Sequence, residues 1–122
     1  MKKILFVLFI VLNCSFLTGQ NAKIKQQQNF VIGLAKVSPI QLEFVKDKFA
    51  GVSSIVTAEF VSLDNILLIE TDTSGNTPVL SYEEVKKILL DYFNQNDIYE
   101  KDHTLFDQMK AEYQKHDKFI LK

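Results

Sequence analysis

The chain has 122 residues, 47% of them hydrophobic, with 14 basic against 15 acidic side chains and a formal net charge of −1. All 14 basic residues are lysines, the two histidines are additional, and there is one cysteine and no tryptophan. A near-neutral chain without a guanidinium group lacks the basic surface and the bidentate donors on which phosphate and nucleic-acid binding rely, so nucleic acid is set aside as a partner.

The first element is an address. Met1 and two lysines precede an apolar run from Ile4 to Leu12 that resumes at Phe16-Leu17 and closes at Thr18-Gly19-Gln20. This is the order of n-region, h-region and processing site in a secretory signal peptide, so residues 1–19 read as a signal and the mature protein as periplasmic or secreted. Asn13 interrupts the run, and a spanning helix needs roughly 20 apolar residues. Two routes to a membrane stay open. One is an uncleaved signal, and the other is lipidation of Cys14, whose preceding Val11-Leu12-Asn13 matches a lipoprotein signal poorly. Cleavage near Gly19 leaves a mature chain without cysteine, hence without disulfide or thiolate metal site. It also leaves 12 lysines against 15 acidic residues, a charge of −3. The remaining length, about 100 residues, suits one domain with one core. Residues 20–28, including the KIKQQQN stretch, read as a polar, flexible lead-in.

Residues 29–35 (NFVIGLA) form a near-continuous apolar run, which predicts a central strand buried on both faces. Ser38-Pro39-Ile40-Gln41 then carries the marks of a helix start: Ser at the N-cap, Pro at the first turn and Gln closing a capping box. Leu42, Val45 and Phe49 make the core stripe of this helix, Ile40 and Phe44 lie on another flank, and Gly51 ends it. Residues 54–61 (SIVTAEFV) read as a second strand with Val56, Ala58 and Phe60 on one face. Asp64-Asn65 is a turn, and residues 66–70 (ILLIE) form a third strand in an antiparallel hairpin with the second. After the polar loop 71–80, Ser81 and Glu84 form another capping box. The helix it opens has Val85, Ile88, Leu89 and Tyr92 as its stripe. Ile98-Tyr99 reads as a brief edge strand. Asp102 caps a third helix with Leu105, Phe106, Met109 and Tyr113 as its stripe, running toward His116.

A helical crossover between the first two strands makes them parallel within one sheet. The expected architecture is α+β, a ferredoxin-like βαββα(β) sandwich over residues 29–99 with an added amphipathic helix in 100–122. Both main helices should cover one sheet face and leave the other more open. The third helix could dock on the Ile40–Phe44 flank, cover the open sheet, or mediate a dimer.

The stretch from Phe30 to Phe93 resembles the heavy-metal-associated domain, the copper-chaperone-like module. The resemblance lies in the layout GLAKVSPIQLEFVKDKF, Gly51-Val52, SIVTAEFV, ILLIETD and LSYEEVKKILLDYF, about two thirds of the mature chain. In that family a Met-x-Cys-x-x-Cys loop after the first strand grips a soft ion through two thiolates. Here the loop reads Leu34-Ala35-Lys36-Val37-Ser38-Pro39-Ile40-Gln41, with no Cys, Met or His. The resemblance therefore implies a fold and carries over no ligand, and no cofactor is expected.

Other chemistry is thin. His103 and His116 lie too far apart for an i, i+4 ligand pair; with acidic neighbours they are the alternative, a metal site unlike the family's. Asp72, Ser74 and Asn76 alternate like calcium ligands, but Gly75 and Glu83 do not fall where an EF-hand loop needs them, so a polar turn is expected. Glu83-Glu84 suits a helix N-terminus. Glu59 and Glu70 could face each other across the hairpin, with no nucleophile and base beside them. The expectation is a non-enzymatic module that binds a protein or self-associates. Its candidate surface is Ile40, Phe44, Phe106, Met109 and Tyr113.

Overall fold

A computed structural model describes residues 27–122. The expected signal, Cys14 and most of the lead-in lie outside the described residues. The elements are β1 (Phe30–Leu34), α1 (Pro39–Ala50), β2 (Ile55–Val61), β3 (Ile66–Thr71), α2 (Tyr82–Leu89), β4 (Ile98–Lys101), α3 (Phe106–Glu112) and β5 (Lys118–Ile120). Short 3₁₀ turns at Gln95–Asp97 and His103–Leu105 precede β4 and α3. The fold is α+β: five antiparallel strands in the order β4-β1-β3-β2-β5, with three helices. β1 and β2 each run antiparallel to β3 between them, and are therefore parallel to one another, as the helical crossover requires.

Local chemistry fixes the elements. In α1 the Ser38 N–H donates to Gln41 Oε1 at 2.8 Å, while the Gln41 N–H reaches back to the Ser38 hydroxyl at 3.4 Å. Ser81 and Glu84 repeat the exchange at α2, at 2.8 and 3.2 Å. Each box satisfies backbone donors that the first helical turn leaves without partners. Asn65 takes the left-handed φ of 55° that the tight β2–β3 hairpin demands, a conformation asparagine tolerates. Gln27 and Gln28, the end of the expected flexible lead-in, are tied down. The Gln27 amide grips Leu80 through both its carbonyl (3.0 Å) and its N–H (2.7 Å), and the Thr71 hydroxyl donates to the Gln28 carbonyl at 2.8 Å.

The sheet buries both faces. One carries the main core, where Phe30, Ile32, Leu67 and Ile69 meet Leu42, Val45 and Phe49 of α1 and Val85 and Leu89 of α2. The other carries a second cluster, in which Val31, Val61, Ile66 and Leu68 pack against Phe106, Met109 and Tyr113. The third helix thus covers the sheet face expected to stay open, and it does so with three residues of the candidate surface. The Tyr113 hydroxyl also donates to the Asp64 carboxylate at the β2–β3 turn, pinning the end of α3 to the hairpin. This helix is shorter than its stripe suggested. Asp102 caps the 3₁₀ turn, and α3 itself ends at Glu112.

Two further details depart from the expectation. The β2–β3 register slips between Ile55 and Thr57. A bulge there turns Val56 outward, 49% exposed, while Ala58 and Phe60 keep the core face. The chain also adds β5 along the outer side of β2, pairing Glu59 with Ile120 and Val61 with Lys118. Just beyond it Leu121 enters the main core, 1% exposed, and its N–H donates to the Ala58 carbonyl at 2.7 Å.

Candidate interaction surface

The start of α1 and the end of α2 are held together by one side chain. After closing its capping box, Gln41 donates from Nε2 to the Tyr92 carbonyl at 2.7 Å. One turn along α1, the Phe44 ring lies on the Tyr92 ring with centroids 5.4 Å apart and planes 8° from parallel. Ile40 and Phe44 nevertheless stay 64% and 47% exposed, and Leu90 at the end of α2 is exposed too. Leu42, Val45 and Phe49 fill the inward stripe of α1, so Ile40 and Phe44 belong to a second apolar face that the described residues leave largely exposed, with Tyr92 stacked on Phe44.

Two clefts flank the loop between β1 and α1. One, of about 530 Å³, is polar and is lined by Lys36, Ser38, Gln41, Asp91, Tyr92 and Asp97 among others. The second, about 350 Å³, is more apolar, with Val37, Pro39, Leu42, Phe60 and Phe119 in its walls. The loop between β1 and α1 is a wall between them, stiffened by Pro39 and by the Ser38–Gln41 exchange.

Of the five predicted surface residues, Ile40 and Phe44 are exposed and adjacent on α1. Phe106 and Tyr113 are buried beneath α3, at 4% and 7% exposure, and Met109 is partly buried beside them. The structure does not bring the two groups together, since they lie on opposite sides of the sheet. Sequence reasoning missed the part of Tyr92 and Leu90. Tyr92 was legible as a stripe residue, but its ring completes an outer aromatic pair. The signal was the conjunction of two aromatics on helices whose ends must meet.

The histidines do not converge. Both are exposed, and the His116 ring meets the Tyr113 ring edge-on at 6.0 Å. Among the described residues, no group of three or more His, Cys, Asp or Glu side chains lies close enough to hold a metal ion. The polar loop is a turn. Asp72 accepts from the Ser74 N–H at 2.8 Å and from the Thr77 hydroxyl at 3.0 Å. The bonds from the Ser74 hydroxyl and N–H, with Thr77 adding to them, hold its carboxyl below the usual carboxylate range. Asp102 is lowered in the same way by the hydroxyl and N–H of Thr104.

Glu59 and Glu70 lie on the α3 side of the sheet but are diagonal, because Glu59 opposes Leu68 and Glu70 opposes Thr57. Glu70 accepts from the Thr57 hydroxyl at 3.1 Å and sits 3.8 Å from the Lys110 ammonium. Glu59 keeps one buried carboxylate oxygen without a hydrogen-bond partner among the described residues, beside a cleft of about 390 Å³ under α3.

Comparison with models of protein families, with curated proteins and with solved structures gave no match.

Proposed function

We propose that this chain is an exported, non-enzymatic interaction module that binds a protein through the outer face of its helix layer. Ile40, Phe44, Leu90 and Tyr92 form the contact. The observation that carries this reading is the exposed, stacked Phe44–Tyr92 pair with Ile40 one turn before Phe44. Rigid aromatic anchors ringed by smaller apolar groups lose little side-chain entropy on binding and carry most of the energy of a typical interface. Both rings here are already fixed, Phe44 by α1 and Tyr92 by the bond from Gln41 to its carbonyl. Export rests on the charge and hydropathy order of residues 1–19. We assign the fold to the ferredoxin-like type on the strand order β4-β1-β3-β2 with both crossover helices on one face. The likeness to the heavy-metal-associated layout belongs to this reading for the fold alone.

The test pairs a photo-crosslinker at Ile40 with the variant Phe44→Glu, both in the exported chain recovered from its native envelope. One discrete crosslinked protein is expected with the wild-type surface and none with Phe44→Glu, whose melting temperature should fall by no more than about 4–8 °C, so that the variant is still folded. Added Cu(I), Zn(II) or Ca(II) should leave that temperature where it is. A tight stoichiometric complex with any of these ions, or crosslinking indifferent to Phe44→Glu, would overturn the reading.

A further inference from the structure

The sheet has two outer edges, and the chain treats them differently. The outer side of β2 is taken up by β5, whose three residues end the sheet there. The outer side of β4 pairs with nothing among the described residues. This edge strand is open: Tyr99 is 52% exposed, and Glu100 and Lys101 are exposed as well. Its pairing with β1 sets Tyr99 opposite Gly33, and the Ala35 N–H donates to the Asp97 carbonyl at 2.8 Å. Backbone groups alternate in an antiparallel ladder, so Tyr99 and Lys101 turn their N–H and C=O toward β1. The Ile98 N–H is taken by the Gln95 carbonyl of the preceding 3₁₀ turn, so the Ile98 C=O and both backbone groups of Glu100 are left on the outer side, ready for another strand.

The side chains along this edge also lack partners. A Cβ at Gly33 would come within 3.1 Å of Lys101 Cε and 3.7 Å of Tyr99 Cβ, so the glycine lets both side chains lie flat over β1. Neither the Lys101 ammonium nor the Asp97 carboxylate has an ion-pair or hydrogen-bond partner among the described residues.

We propose that two copies of this chain pair edge to edge through β4, antiparallel about Tyr99, so that their sheets join into one. A two-fold axis normal to the sheet must pass through a residue of the strand, because paired residues point to the same face. Placed at Glu100, the axis would set that carboxylate directly against its copy, which is unfavourable. At Tyr99 it sets Ile98 opposite Glu100 of the partner subunit, whose N–H then donates to the Ile98 carbonyl, and the two-fold repeats that bond on the other side of the axis. The two Tyr99 side chains meet at the axis, in the non-hydrogen-bonded position where side chains come closest. Lys101 falls opposite Asp97 of the partner subunit, joining the two unpaired charges. The strand is short, so the dimer is a weak one that forms as concentration rises. It uses none of the Ile40–Phe44 surface and stands whether or not that surface binds a protein.

Sedimentation equilibrium on the full chain as its host processes it, over a wide concentration range, tests the proposal. The wild type should follow a monomer–dimer equilibrium. Lys101→Asp sets like charges opposite each other twice per dimer and should weaken it about ten-fold. The exchange Asp97→Lys with Lys101→Asp should restore it. Tyr99→Lys, which opposes two ammonium groups at the axis, should also weaken it, and melting curves establish that each variant is folded. Four results would overturn the proposal. They are a wild type that stays monomeric at millimolar concentration, a dimer indifferent to Lys101→Asp, a dimer that the charge exchange fails to restore, and a dimer lost with Ile40→Glu.

Discussion

Replacing Phe106 by alanine and replacing Phe44 by alanine remove the same atoms from opposite sides of the molecule. Phe106 is 4% exposed, wedged between α3 and a sheet face made by Val31, Ile66 and Leu68. Its loss forfeits nearly the whole transfer energy of the ring and leaves a cavity, because β1 and β3 are fixed by the main core behind them. Changes of this kind cost about 3–5 kcal/mol. A helix of seven residues has no stability of its own, so α3 cannot relax into the gap and remain a helix without its anchor. Phe44 is 47% exposed, and what it loses is half a transfer term and one stacked contact with Tyr92, about 1 kcal/mol. The two variants should therefore differ by at least about 2 kcal/mol. Urea unfolding followed by circular dichroism reads this as a shifted midpoint at unchanged slope. Hydrogen exchange should show the lost protection in Phe106→Ala concentrated in residues 103–113. If the two variants unfold within experimental error of each other, α3 does not close the second core and the reasoning fails.

Tyr113 supplies a pH test. Its hydrogen bond to Asp64, then burial, then the charges of Asp64 and Glu112 push its hydroxyl up to about 12 from an ordinary value of 10. Because the folded value is the higher one, this contribution is complete below pH 10 and is lost as pH rises toward 12. Tyr113 should ionise late in an ultraviolet titration, with Tyr82 also delayed by its burial and then by Glu100 and Glu83, and Tyr113→Phe should cost about 1–3 kcal/mol near neutrality while flattening the alkaline fall in stability. At the start of α1, Ser38→Ala should cost about 1 kcal/mol in chemical denaturation. Gln41→Ala should cost more, because it also strips the Tyr92 carbonyl of its donor. The bulge gives a paired test on β2. Val56→Thr should change stability by less than about 0.5 kcal/mol, whereas Ala58→Val, at a fully buried position, should cost about 1–3 kcal/mol.

Much of this architecture is written in local chemistry and can be read from it. Ser38 with Gln41, and Ser81 with Glu84, announce their helices because capping involves only residues three apart. The Asp64-Asn65 turn announces its hairpin for the same reason. What could not be read depends on distant partners. The third helix showed an apolar stripe, which says that it is covered but not by what. The clue was in β1 and β3, whose continuous apolar runs place Val31, Ile66 and Leu68 on a face that α1 and α2 cannot reach. The bulge at Val56 leaves no mark in a run of strand formers, since a slip of one residue is decided by pairing with β3. β5 is three residues among lysines, too short for any periodicity to show. For the surface, Ile40 and Phe44 were visible as a second flank. The burial of Phe106 and Tyr113 was not, because a stripe meant for a partner and one meant for the protein's own sheet have the same composition.

The path of the last residues has a consequence for how the molecule assembles. After α3 on one side of the sheet the chain rounds the β2 edge, and Leu121 drops into the core on the opposite side, while the Lys122 ammonium reaches the Val52 carbonyl 70 residues back at 2.6 Å. Contacts across so long a stretch of chain carry a loop-closure cost and slow the search for the native state. The main hydrophobic layer is thus closed by a clasp of Leu121 and Lys122, and until it shuts that layer is not fully sealed. Unfolding should start from this clasp and reach the main core first.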